Sequence, residues 1–333
     1  MGSTNQWYLV LTGSLVDSAT VQHTRRTFAR VNYRGEDAMP LVNPALQGLD
    51  LSEYATPGKG RGLLEVLRWR YLLRLLVRKE TATRYRNSAL GWIWSYVRPA
   101  AQFAIFYVVL GMFLQMNKGI ENFALYLFSG IVVINFFSEG FANGTRTLVD
   151  NAHLVRKIYL PRELFPVAAV IVSFVHFLPQ VGVLLVVCLF FGWVPAGMPV
   201  LAILLGLLIL VTFTLGLGML FGSLNVPFRD AQNFVELILL FATWASPVLY
   251  SWTMVARVAP DWLMPVYLAN PLTSVVQLFH YGFWAPVTDG ALQSEFPEGV
   301  WLYAVASLIT SLVVLFVGQM VFRRLEPKFA QDL

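Results

Sequence analysis

Apolar residues in this chain fall into long uninterrupted runs, several of them long enough to cross a bilayer. About 20 helical residues span the roughly 30 Å of hydrocarbon. Six stretches predict spans: 99–115, 123–141, 165–191, 200–221, 232–250 and 300–322. The first is short unless 93–97 joins it, with Arg98 reaching back toward water. The pattern differs ahead of them. Between Leu63 and Lys79, Val66, Trp69, Leu73, Leu76 and Val77 recur at helical spacing, with Arg68, Arg70, Arg74, Arg78 and Lys79 on other faces. This basic amphipathic helix either lies on the cytosolic membrane surface or docks a soluble partner. Residues 1–60 are mixed and polar with turn-forming stretches, which predicts a partly disordered cytosolic extension.

Composition points the same way. Hydrophobic residues make up 57% and charged residues only 13%, against roughly a quarter charged in soluble domains. Cys188 stands alone in an apolar run, so it has no disulfide partner and is read as packing. The net charge of +5 forms no long basic face and accompanies no nucleic-acid module, so no nucleic-acid partner is expected. The apolar start at 7–11 is too short for a secretory signal.

The cations set an orientation instead. Of 24 Lys and Arg, 22 lie in residues 1–98, the connection before 165, Arg229 and the tail, leaving Lys118 and Arg257 on the other side. Cytoplasmic connections are enriched in Lys and Arg, so both termini are expected in the cytosol and the number of spans is even. Within the outer connection 251–299, the apolar stretch 272–284 is bounded by Asn270-Pro271 and Ala285-Pro286 and is too short to cross. It predicts a re-entrant hairpin or helical cap, or else a flat interfacial helix. The expected fold is all-α and integral to the membrane: six transmembrane helices, an N-terminal cytosolic interfacial amphipathic helix and an outer re-entrant helical segment. Its expected parts are an extension (1–60), the interfacial helix and lead-in (61–97), the six-span domain (98–323) and a cytosolic tail (324–333).

Candidate chemistry is sparse. Glu139 and Glu236 fall near the cytosolic ends of their spans, and His176 near the middle of the third. His176 is either a proton relay or hydrogen-bonded to a neighbouring helix. The spans carry no hydrolase triad, metal-ligand cluster or paired deep carboxylates, and the sequence has no Gly-x-x-x-x-Gly-Lys-[Ser/Thr] phosphate loop. If ATP drives transport here, another polypeptide binds it. Two cytosolic segments, 151–163 and 225–230, combine charges with apolar Leu154, Ile158 and Tyr159, which suits a protein interface or headgroup contact. Phe103, Phe106 and Tyr107 share one side of the first span with Leu110, and Phe241, Trp244 and Tyr250 mark the fifth. Such aromatics either face lipid and its interfaces or offer flat stacking surfaces to sugar rings in a common lumen.

The stretch from Arg84 to Trp94 (RYRNSALGWIW) with Arg98-Pro99 resembles the lead-in to the first span of ATP-binding-cassette polysaccharide-export permeases. Leu154 to Pro166 (LVRKIYLPRELFP) is similar to that family's first cytosolic coupling helix. Residues 225–230, Ser246 to Tyr250 (SPVLY), Asn270-Pro271 and Phe322 to Ala330 (FRRLEPKFA) follow in the family's order and spacing. The resemblance covers 63–333. It implies a homodimer joined to two copies of a separate ATPase, which holds ATP and Mg while this chain binds no cofactor and is no enzyme by itself. The assembly would export a lipid-linked polysaccharide across the bacterial cytoplasmic membrane. Residues 1–60 are longer than the family pattern and look like actinobacterial members, which implies a lipid-linked galactan.

On that reading Arg156, Lys157, Tyr159, Arg162, Arg229 and Asp230 couple to the ATPase. The aromatics Phe103, Phe106, Tyr107, Phe241, Trp244 and Tyr250 line the substrate pathway, and Pro271, Phe279 and His280 belong to an outer gate. Two rivals stand beside it. A membrane-embedded glycosyl- or acyltransferase would need His176, His280, Glu139 or Glu236 as an essential group. A proton-coupled transporter would carry internal repeats of the spans, which the sequence lacks.

Overall fold

The computed structural model describes residues 62–84, 93–157, 160–291 and 295–333, and every regular element among them is helical. The extension 1–60, most of the lead-in motif 84–94 and Tyr159 lie outside the described residues.

The predicted amphipathic helix is two helices, α1 (Leu63–Arg68) and α2 (Arg70–Arg84), broken at Trp69. Its apolar stripe rests on protein: Val66 and Leu76 are buried, with Leu73 and Val77 packed beside them. Next come α3 (Trp94–Phe106), continuing as a π-helical stretch through Phe113, α4 (Phe123–Asp150) and the short α5 (Ala152–Lys157). Then follow α6 (Leu164–Phe190), α7 (Gly197–Leu224) and α8 (Ala231–Trp244). Three short helices, α9 (Trp252–Ala256), α10 (Leu263–Leu268) and α11 (Pro271–Phe279), lead through further helical turns to Val287. The chain ends in α12 (Val300–Leu325) and α13 (Phe329–Asp332).

Among the described residues, five helices are long and apolar enough to cross a membrane, including α4, α6, α7 and α12. The first starts at Tyr96, so 93–97 does join it. The fifth expected span departs from the reading: 232–250 yields only the 14 residues of α8, about 21 Å of helix at 1.5 Å per residue. Pro247 is the reason. It cannot donate to the helical ladder and disfavours helix in the residue before it. The carbonyls freed at Pro247 and Tyr250 lie 3.1 and 2.9 Å from the Tyr126 hydroxyl of α4. Span two departs in the other direction, since α4 continues past 141 to Asp150.

The segment 271–287 is embedded in the bundle, where α11 packs on α7, α12 and α4 with every residue buried. Asn270 caps it by accepting from the Leu272 amide at 3.2 Å. Its far end is tied to the loops leading into α7 and α4: Trp193 donates to the Gly282 carbonyl and Trp284 to that of Glu121, each at 2.8 Å.

Backbones meet where α4, α7 and α12 cross. A Cβ on Gly222 would sit 2.7 Å from the Gly144 carbonyl oxygen, and one on Gly216 would sit 2.7 Å from the Leu315 backbone. Small residues at these crossings allow the dispersion contact that drives helix association in lipid. The main core fills the bundle. A second cluster closes one end, joining Val66, Leu76, Leu148, Val155, Leu164, Val226, Phe322 and Phe329. Arg156, Lys157, Arg162, Arg229, Arg323, Arg324 and Lys328 surround this cluster, which we call the basic end.

Candidate functional site

Two chain reversals stand on the second core. In the first, Asn151 is 1% exposed and anchors α5. Its amide donates to the Thr147 carbonyl at 2.9 Å and to Glu80 Oε1 at 3.1 Å, while Lys79 of α2 donates to its carbonyl oxygen. Val155 faces inward, so Arg156 and Lys157 at the helix C-terminus project outward. Cations are favoured there by the helix dipole. In the second, Asn225 donates to the Thr145 carbonyl at 3.1 Å and Val226 enters the core. Pro227, Phe228, Arg229 and Asp230 are then exposed. Each reversal has a pinned base and a projecting charged tip, and the second adds the exposed ring of Phe228.

Of the six residues predicted to couple, Arg156, Lys157, Arg229 and Asp230 occupy these tips. Tyr159 lies outside the described residues. Arg162 turns inward: its Nη1 donates to the Glu326 carbonyl, and its guanidinium lies over the Phe329 ring. Phe228, 66% exposed, was not singled out in the sequence. An aromatic between Pro227 and Arg229, in a tight turn of polar residues, is the signal the sequence offers.

The aromatic candidates separate into two groups. Phe103 packs edge-on against Phe128 at 5.5 Å and stacks with Tyr107, which meets Phe123 at 6.3 Å; Phe106 is likewise partly buried against the main core. Phe241 and Trp244 are 69% and 55% exposed on α8, and the Tyr250 hydroxyl donates to the Trp244 carbonyl. The outer-gate candidates are all buried. His280 stacks on Tyr126 at 3.8 Å, with Nε2 3.0 Å from the Tyr126 carbonyl oxygen.

Of the groups a transferase would need, only His176 and Glu139 come together. His176 Nδ1 lies 2.6 Å from Glu139 Oε1, joining α6 to α4. His280 sits with Tyr126 away from that pair, and Glu236 is exposed on α8. With α4 running on to Asp150, Glu139 is a mid-helix residue, not the end residue the shorter span implied. Among the described residues no group of three or more His, Cys, Asp or Glu could hold a metal.

Comparison with known proteins places this arrangement. The ABC-2 type transporter family matches residues 71–284. The O-antigen export system permease protein RfbA of Klebsiella pneumoniae is 28% identical over 267 residues, 79% of this chain and 95% of that protein. RfbA of Myxococcus xanthus is 28% identical over 269 residues, covering 81% and 98%. The polysialic acid transport protein KpsM of Escherichia coli is 22% identical over 252 residues, covering 74% and 91%. With the family match spanning most of the helical bundle, this chain belongs to the ABC-2 type transporter family.

Proposed function

We propose that the chain is the membrane subunit of an exporter of lipid-linked polysaccharide, working as a homodimer with two copies of a separate ATPase. The carrying observation is the pair of tips at the basic end. Arg156-Lys157 and Phe228-Arg229-Asp230 project from one shared core, as surfaces that receive force from another protein must. The charge distribution orients this end to the cytosol, with both termini there, in the bacterial cytoplasmic membrane. ATP and Mg belong to the partner. On this reading α8 with its turn to Tyr250 completes a sixth crossing.

The names of the relatives support the substrate class, since RfbA exports O-antigen and KpsM transports polysialic acid. Within that class a galactan is the first substrate to try. Exposed Phe241 and Trp244 offer stacking surfaces to it, whereas Phe103, Phe106 and Tyr107 hold span one to span two. Any outward motion of the buried segment 271–287 carries Tyr126 with it through His280.

The test is the double replacement Arg156→Glu, Lys157→Glu. Glycan export in cells should fall at least tenfold while permease and ATPase both reach the membrane. Normal export and normal glycan-coupled ATP hydrolysis by an assembled double variant would sink the coupling role.

A further inference from the structure

Helix α4 is buried along most of its surface, yet from its middle to its basic end one face stays partly exposed. The open positions are 135, 138, 139, 142, 143, 146, 149 and 150, whose spacing of three and four marks a single stripe. It carries Asn135, Ser138, Glu139, Asn143, Arg146 and Asp150. The open faces of the other long helices are apolar, with Leu178 and Val183 on α6, Leu204 and Leu208 on α7, and Ile309 and Leu312 on α12. Hydrocarbon satisfies those faces. It offers nothing to amides and a carboxylate, so the α4 stripe adjoins water or polar matter.

The stripe is also organised. Glu139 keeps 21% of its side chain exposed while His176, 2% exposed, holds one oxygen. One turn further in, the Asn135 amide meets Gln180 at 3.5 Å. Toward the basic end the stripe opens into a cavity of about 260 Å³, where Asn143, Thr147, Asp150 and Asn151 meet Glu80 and Thr83 of α2, with Ala169 and Val172 of α6 as its apolar side. Asn135 to Asp150 covers about 22 Å of helix at 1.5 Å per residue.

We propose that this stripe walls the hydrated path taken by the glycan, and that Glu139 is a subsite accepting hydrogen bonds from sugar hydroxyls. The inference rests on the export function argued above. An ionised carboxylate accepts at two oxygens, and Asn both donates and accepts, so the stripe matches groups that each offer one donor and lone pairs. A dry seam between two copies fits less well. A two-fold contact brings a patch against itself, setting Glu139 near Glu139 and Arg146 near Arg146 without water to screen them.

The experiment uses the full chain with its ATPase in inside-out vesicles. Cys188 is replaced by Ser, and single cysteines replace Ser138, Asn143 or, as the lipid-facing control, Leu204. A membrane-impermeant maleimide should label Ser138→Cys and Asn143→Cys at least tenfold faster than Leu204→Cys. Labelling no faster than the control, or a disulfide between copies at Ser138→Cys or Asn143→Cys, overturns the hydrated path. Glu139→Gln should lower glycan export at least tenfold while Asn143→Cys in that background still labels, which shows the fold intact. Undiminished export overturns the subsite. A parent complex that labels at Asn143→Cys yet moves no glycan contradicts the export function and leaves the water-lined stripe standing.

Discussion

The guanidinium carbon of Arg162 lies 5.8 Å from the centre of the Phe329 ring, and Arg162 Nη1 donates to the Glu326 carbonyl in the same tail. The connection leaving α5 is thereby joined to the end of the chain. Phe329 is fully buried against Phe322, at 5.3 Å edge to face. Arg162, Phe329 and Phe322 thus form a continuous contact from that connection to α12. Phe329→Ala should destabilise the basic end by about 3 kcal/mol, the usual cost of emptying a buried aromatic site. Arg162→Lys should recover little, because a compact ammonium cannot reproduce the flat stacking and forked donors of the guanidinium. Thermal unfolding of the purified complex measures both, and an unshifted Phe329→Ala midpoint would refute the clamp.

Glu163 is 1% exposed, and its two carboxylate oxygens have no hydrogen-bond partner among the described residues. Burial raises its pKa above the ordinary 4.5, against the opposing pull of its own backbone amide, Arg323 and Arg162. The folded chain thus holds this proton more tightly than the unfolded chain. The penalty for ionising it is absent below the unfolded value and grows as pH rises toward the folded one. Glu163→Gln should therefore gain melting temperature relative to the parent as pH rises from about 4.5 to 8. A difference that stays flat or shrinks over that range contradicts the burial.

Gly216 and Gly182 both sit inside long helices, with opposite surroundings. A Cβ at Gly216 meets the Leu315 backbone, whereas at Gly182 nothing lies within 4 Å. Gly216→Ala should cost about 1–3 kcal/mol by forcing α7 from α12. Gly182→Ala should be neutral or stabilising by up to about 1 kcal/mol through helix propensity. Equal melting points for the two variants would remove the claim that backbones touch at Gly216.

Tyr126→Phe deletes the hydroxyl that serves the carbonyls of Pro247 and Tyr250. Leaving the buried Pro247 acceptor unpaired should cost about 1–3 kcal/mol. Protease protection of the 245–250 turn should fall with it, and unchanged protection would show that the turn holds itself.

The apolar runs made five of the spans legible, because in lipid a long apolar run has few structures open to it. Span five misled for a local reason: Pro247 was visible, but the Tyr126 hydroxyl that lets the helix stop there comes from a residue 121 positions earlier. Span two was read short because Asn143, Arg146 and Asp150 look like a loop when taken in order. Counted by helical turns, Asn135, Glu139, Asn143, Arg146 and Asp150 fall on one face, a signal the sequence did contain. Arg156, Lys157, Arg229 and Asp230 were legible as projecting charges. The inward turn of Arg162 was not, since its acceptor and ring lie more than 160 residues away.

Stiffness in this subunit is unevenly distributed. Where Gly144 meets Gly218 and Gly222, and Gly216 meets Leu315, no side chain lies between the helices to change rotamer and absorb strain. Helices α4, α7 and α12 are consequently packed backbone to backbone, with little slack between them. Helix α3 differs, since it meets the bundle through Phe103, Phe106 and Tyr107 and leaves most of its remaining surface exposed. If the export function holds, α3 is the wall with the fewest contacts to break when a wide, hydrated cargo passes.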